Sequence, residues 1–66
     1  MDVKYPNVKV NLSDEDGNAF SIIARVRRAL LKAGVRPDQI EEFCTEAMSG
    51  DYDHLLQTAM KWVDVS

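Results

Sequence analysis

Apolar residues recur at intervals of three or four along residues 19–63, and two glycines interrupt this period. Such spacing places side chains on one face of an α-helix, so the pattern predicts a series of helices. Gly34 is expected to end the first helix, since glycine readily adopts the left-handed conformation at a helix end, and Gly50 to end the second. Pro37 suits the first turn of the second helix, where a missing N–H does no harm. The sequence therefore predicts three short amphipathic helices.

Each predicted helix has an apolar face that is expected to be buried. In the first helix, residues 19–33, these positions are Ala19, Ile22, Ile23, Val26, Leu30 and Ala33. In the second they are Ile40, Phe43, Cys44 and Ala47. In the third they are Tyr52, Leu55, Leu56, Ala59, Met60 and Val63.

The two ends of the chain have a different period. Residues 6–12 alternate between apolar and polar side chains, which is typical of a half-buried strand. Asp16 or Asn18 is placed to cap the first helix. The final "WVDVS" alternates again, so a short C-terminal strand that pairs with residues 8–12 is a further option. We expect one small α+β domain over residues 1–66: an N-terminal strand followed by three helices, with or without that C-terminal strand.

The stretch "SGDYDHLLQTAMKWV" at residues 49–63 contains the chain's one histidine beside two aspartates. We interpret it as the start of the third helix rather than as a metal or catalytic site. Ser49 or Asp51 would cap the helix, and Asp53 adds negative charge where the helix dipole is positive. Adjacent residues at a helix start do not converge on one ion. His54 is expected to face water on the outer side of the helix.

Other sequence patterns also argue against catalysis. The acidic turn "DEDGN" resembles part of a calcium loop, but the first and last ligand positions would fall on Leu12 and Ile23, which are apolar. Cys44 is expected in the core and His54 outside, so no nucleophile meets a base. No glycine-rich phosphate loop is present. We therefore expect no catalytic, cofactor or metal residues, and we expect that the protein is not an enzyme.

Charge is segregated along the chain. Residues 17–36 contain five basic and no acidic side chains, whereas residues 37–66 contain seven acidic and one basic side chain. Attraction between exposed helices of opposite charge is worth about 0–1 kcal/mol per pair, so it orients more than it stabilises. A sequence pI of about 4.9 opposes direct nucleic-acid binding. An acidic face that contains Glu42 and Glu46 could instead imitate a phosphate backbone.

A second apolar stripe on the first helix, formed by Phe20, Ala24 and Leu31 with Arg27 beside it, needs a cover of its own. If the strand covers it, these residues belong to the core. If the strand is too narrow, they form an interface, most simply that of a two-fold homodimer. We expect the strand to cover Phe20 and Leu31 to be partly exposed. The candidate partner-binding residues are Phe20, Arg27, Leu31, Glu42 and Glu46.

Four tracts cover nearly the full length of the chain: "YPNVKVNL", "DGNAFSIIARVRRAL", "AGV" and "SGDYDHLLQTAMKWV". Together they resemble a family of small bacterial and phage proteins that has no assigned activity. Residues 29–63 are also similar in helix spacing to ubiquitin-associated three-helix domains. Ala33 and Val35 stand where those domains carry the methionine and aromatic residue of their binding loop, so the resemblance implies a compact binding module and not ubiquitin recognition.

These observations favour a non-enzymatic protein-interaction module of bacterial or phage origin without a cofactor. The single Cys44 and the lack of a secretory leader are typical of a reducing cytoplasm. No apolar run approaches the roughly 18 residues needed to cross a bilayer, so no membrane partner is expected. The alternative is an acidic nucleic-acid mimic that inhibits a host defence enzyme.

Overall fold

The computed structural model describes residues 3–11 and 19–65, which form two strands and three helices. This confirms the predicted α+β fold and its C-terminal strand. Three predictions lie outside the described residues: the capping of the first helix by Asp16 or Asn18, the end of the first strand at Leu12, and the acidic turn. In chain order the elements are β1 (Tyr5–Val10), α1 (Ala19–Lys32), α2 (Pro37–Ala47), α3 (Tyr52–Trp62) and β2 (Val63–Val65).

The two strands pair in parallel, and the three helices form the connection between them. Tyr5 is opposite Val63 and Val10 is opposite Val65, with an irregularity in the register between Tyr5 and Lys9. Parallel strands need a long crossover, which the helices supply. Trp62, which was expected in the terminal strand, is instead the last residue of α3.

The core lies between the helices and one face of the strand pair. Phe43, Leu30, Val26 and Val63 are fully buried at its centre. Burying one such apolar side chain contributes about 1.5–3 kcal/mol, so these contacts provide most of the driving force for folding. The other buried apolar residues are Val8, Val10, Ile22, Ile40, Ala47, Leu55, Ala59 and Trp62.

The predicted buried face is largely confirmed for α1 and α2 and is wrong in part for α3. Tyr52 and Met60 are exposed, while Thr58 and Trp62 are buried in their place. The buried face is rotated about the helix axis because Trp62 is the largest apolar side chain available. Thr58 is buried at low cost, because its hydroxyl donates to the His54 carbonyl oxygen at 2.8 Å.

The end of α1 follows the predicted local geometry. Gly34 has a φ of 86°, in the left-handed region. The Gly34 N–H donates to the Leu31 carbonyl at 3.1 Å, and the Val35 N–H donates to the Leu30 carbonyl at 3.0 Å. This pair of bonds is a Schellman motif, and it satisfies carbonyls that a helix end would otherwise leave free. Ala33, expected on the buried face, lies beyond the helix and is exposed.

The end of α2 differs from the prediction. The helix ends at Ala47 with Met48 as the C-terminal cap, so Gly50 does not terminate it.

The longest described helix, α1, has 14 residues. Within residues 3–11 and 19–65, no helix combines the length and apolar character needed to cross a membrane.

Candidate functional site

An open groove lies between α1 and α2, and each helix forms one of its two edges. The floor between the edges contains Ile23 and Ile40. The α1 edge consists of Phe20, Ala24, Arg27 and Leu31. The α2 edge consists of Pro37, Glu41, Cys44 and Met48. Both edges have the same spacing of four, three and four residues, which keeps each set on one side of its helix. We call this surface the α1–α2 groove.

Large apolar side chains are exposed along this groove. Phe20 is 75% exposed, Leu31 62% and Met48 57%. A second depression shares Phe20, Ile23 and Met48 with the groove and extends it to Tyr52. Four of the five large apolar side chains that the described residues expose therefore lie on one connected surface. A contiguous apolar surface of this kind on a small protein marks an interaction site more often than a scattered set does.

The expectation that the strand covers Phe20 is wrong. The strands contribute Val8, Val10 and Val63 to the core, which they share with the main buried face of α1. Phe20 lies on a different side of α1 from that face. The strands therefore do not cover Phe20, which is exposed. Leu31 is exposed as well, in line with the partial exposure expected for it.

The groove has one charged side chain on each edge, Arg27 on α1 and Glu41 on α2. The ion pair that lies within residues 3–11 and 19–65 joins Arg36 and Asp38, both of which are exposed. Within that same part of the chain, Arg27 and Glu41 make no ion pair. The groove therefore carries one cation and one anion on opposite edges of an apolar surface.

The structure brings together three of the five candidate partner-binding residues. Phe20, Arg27 and Leu31 share the α1 edge of the groove, whereas Glu42 and Glu46 do not line it. Glu42 is exposed and accepts a bond from the Gln39 side chain at 3.4 Å.

Glu46 has an internal role that the sequence did not indicate. It is half-buried, and its Oε1 accepts a bond from the Trp62 indole N–H at 3.4 Å. Of the two glutamates expected on the acidic face, only Glu42 is therefore fully exposed.

Sequence reasoning missed the residues on the α2 edge. The apolar pattern does not single out Glu41 or Met48, and it predicts Cys44 in the core. In the structure Cys44 is half-buried, and all three line the groove. A signal for these residues existed, because the spacing of positions 37, 41, 44 and 48 repeats that of positions 20, 24, 27 and 31.

Residues 49–63 contain the capped start of α3, as predicted. The Asp51 carboxylate accepts a bond from the His54 backbone N–H at 2.9 Å, which makes Asp51 the N-cap of α3. Asp53 accepts a bond from the Gln57 side chain at 3.3 Å. Within the described ranges, no three histidine, cysteine, aspartate or glutamate side chains converge in a way that would hold a metal ion.

The expectation that His54 points outward into water is wrong. Its side chain is half-buried, and Nε2 lies 2.9 Å from the Glu46 carbonyl oxygen. Nε2 also lies 3.2 Å from Ser49 Oγ and 3.4 Å from Thr58 Oγ1. The imidazole therefore joins the first turn of α3 to the end of α2. A Cβ on Gly50 would lie 2.8 Å from His54 Cγ, so this approach requires glycine there.

The Ser49–His54 contact has the distance of a nucleophile and its base, but the proton positions do not suit catalysis. Ser49 Oγ donates to the Glu46 carbonyl at 2.7 Å, and Thr58 Oγ1 donates to the His54 carbonyl. A carbonyl oxygen only accepts, so the 2.9 Å contact to Glu46 requires a proton on Nε2. Nε2 then directs its one proton at the Glu46 carbonyl and has no lone pair left to accept a proton from Ser49. The cluster connects two helices rather than activating a hydroxyl group.

The chain matches no protein-family model, no curated protein and no solved structure.

Proposed function

We propose that this chain is a non-enzymatic protein-interaction module, of bacterial or phage origin, that binds a helical protein surface in the α1–α2 groove. The observation that carries this proposal is the continuity of the exposed apolar surface from Leu31 past Phe20 and Met48 to Tyr52. Moving one large apolar side chain from water into an interface contributes about 1.5–3 kcal/mol when its burial is complete. Several such residues on one surface therefore provide a substantial driving force for association.

The shape of the groove favours a helix as the bound element. Both edges follow the spacing of four, three and four residues by which amphipathic helices pack against each other. A helix with apolar residues at intervals of three and four would place them between the two edges. Arg27 and Glu41 would then pair with charges of opposite sign that flank the apolar stripe of the partner.

Paired surface variants test this proposal. Leu31→Glu places a charge on the groove, whereas Met60→Glu places the same charge on an exposed apolar residue of α3 outside it. Far-UV circular dichroism first verifies that both variants are folded. Each protein is then tagged and incubated with a lysate of the cells in which the chain occurs. Untagged copies of the chain are present in the same lysate, and the proteins retained on the tag are compared.

We expect the wild type and Met60→Glu to retain the same bound protein and Leu31→Glu to lose it. Identical binding by all three proteins would contradict the proposal, because recognition would then not use the groove. Binding by none of the three would contradict it as well.

A further inference from the structure

We propose that the protein bound in the groove is a second copy of this chain, in a two-fold dimer where α1 of each copy packs on α2 of the other. This inference rests on the proposed function, since it names the occupant of the same groove. It follows from the way in which the two edges complement each other.

The two edges run in opposite directions and form four matched levels. Phe20 at the start of α1 and Met48 at the end of α2 line the same two depressions, so these helix ends lie side by side. With equal spacing on both edges, Ala24 is then level with Cys44, Arg27 with Glu41, and Leu31 with Pro37. Three of the levels carry uncharged side chains, and one carries a cation and an anion on opposite edges.

A two-fold axis parallel to the groove brings complementary side chains of the two copies together at every level. Rotation about such an axis sets the α1 edge of one copy over the α2 edge of the other at the same level, and the reverse contact follows by symmetry. Each Arg27 then faces Glu41 of the other copy, so two ion pairs form per dimer. At the end levels, Phe20 of one copy faces Met48 of the other, and Leu31 faces Pro37. No level brings like charges together.

The alternative two-fold axis, across the groove, has no such complementarity. It would set α1 against α1, with Arg27 over Ala24 of the other copy and Glu41 over Cys44. Both charges would then be covered by uncharged residues without a partner, which is unfavourable. The positions of Arg27 and Glu41 therefore select the axis parallel to the groove, in which the four helices form a bundle.

The expected dimer is tested on the purified full chain by sedimentation equilibrium over a wide concentration range. We expect a mass of twice 7.5 kDa for the wild type and for Met60→Glu. Leu31→Glu, and independently Met48→Glu, should give a folded 7.5 kDa monomer. Cys44, the one cysteine, lines the groove and provides a second measurement. Its labelling rate with a thiol reagent should fall as the wild-type concentration rises, and should stay constant in Leu31→Glu.

Charge reversal tests the orientation of the two copies. Arg27→Glu and Glu41→Arg each place like charges opposite each other twice per dimer, so each should raise the dimer Kd by about tenfold or more. The double variant restores opposite charges and should return the Kd close to the wild-type value. Failure of the double variant to recover would overturn the proposed arrangement, as would a dimer that persists in both Leu31→Glu and Met48→Glu.

A wild-type monomer at all concentrations would overturn the second copy as the occupant. If the groove-dependent capture of another protein persists in that case, the proposed function stands and only this inference fails. If that capture is also absent, both fail.

Discussion

The indole ring of Trp62 stacks on the phenol ring of Tyr5, with ring centroids 5.9 Å apart and the planes inclined by 30°. Phe43 meets the same indole edge-on at 5.5 Å, and Lys4 Nζ lies 4.2 Å from its ring centroid. The end of α3 is thus held against both the start of β1 and the middle of α2. Because Trp62 is buried and is the one tryptophan of the chain, its fluorescence reports directly on this cluster.

We expect Tyr5→Ala to lower the free energy of unfolding by about 1–3 kcal/mol, since it removes the stacked ring and its apolar contacts. Tyr5→Phe keeps the ring and loses only a 3.5 Å hydroxyl contact with Gln39, so it should stay within about 0.5 kcal/mol of the wild type. Urea unfolding followed by tryptophan fluorescence measures both values. Equal stability of the two variants would show that the stacked ring contributes nothing.

Glu46 and Glu42 should respond differently to charge reversal. Glu46→Lys removes the acceptor of the Trp62 indole N–H and should destabilise the protein by about 1 kcal/mol, because the bond is long and only partly buried. Glu42→Lys changes an exposed residue and should be neutral within about 0.5 kcal/mol. Glu46→Gln retains the accepting oxygen and serves as the control. A neutral Glu46→Lys, measured by urea unfolding, would rule out the internal role of Glu46.

This difference affects any test of nucleic-acid mimicry by the acidic face. Glu42→Lys combined with Glu46→Gln removes negative charge without disturbing the Trp62 contact. If the acidic face imitates phosphate groups, this double variant should bind a nucleic-acid-binding protein more weakly than the wild type does. Added salt should also weaken wild-type binding steeply. Titration calorimetry measures the affinity of both proteins. Equal affinity of the double variant and the wild type would exclude mimicry through this face.

Asp51→Ala should destabilise the protein by about 0.5–2 kcal/mol, because it removes the side chain that accepts the His54 backbone N–H at the start of α3. Asp51→Ser retains an N-cap oxygen and should recover most of the loss. Asp53→Ala, at an exposed position in the same turn, separates the cap from the general effect of negative charge near the helix start. Thermal unfolding followed by circular dichroism compares the three. Equal losses for Asp51→Ala and Asp53→Ala would contradict a specific capping role.

His54→Ala should cost about 1 kcal/mol, in contrast to the neutral effect expected for an outward-facing side chain. The variant loses the bond to the Glu46 carbonyl that joins α3 to the end of α2. Gln57→Ala, in the same helix, loses only an exposed side-chain bond to Asp53 and is the matched control. Urea unfolding of both variants tests this. If His54→Ala is as stable as Gln57→Ala, the imidazole contacts do not contribute to stability.

Gly34→Ala should destabilise the protein by about 1 kcal/mol through backbone strain alone. Its φ of 86° is unfavourable for a residue with a Cβ, yet a Cβ there would meet nothing within 4 Å. Gly34→Asn should cost less, since asparagine tolerates the left-handed region. A smaller loss for alanine than for asparagine in denaturant unfolding would show that the backbone conformation is not the cause.

Local sequence signals determined where α1 ends and where α2 and α3 begin. Gly34 and Pro37 separate α1 from α2, and Asp51 caps α3, because these effects depend on the backbone within a few residues. The apolar period likewise predicted the α1 edge of the groove through Phe20 and Leu31. Alternation at the two ends predicted the strand pair, although pattern alone does not decide its parallel direction.

Contacts between distant residues were decided only by the tertiary structure. Periodicity shows which sides of a helix are apolar, but the packing of whole elements decides which of those sides meet. β1 packs on α1, whereas Phe20 is exposed and lines the groove opposite the α2 edge with Glu41 and Met48. The rotation of α3 that buries Trp62 also brings His54 and Glu46 into contact with their partners. These contacts join side chains far apart in the chain. Glu46 and Trp62 are 16 residues apart, which is beyond the reach of a helical repeat.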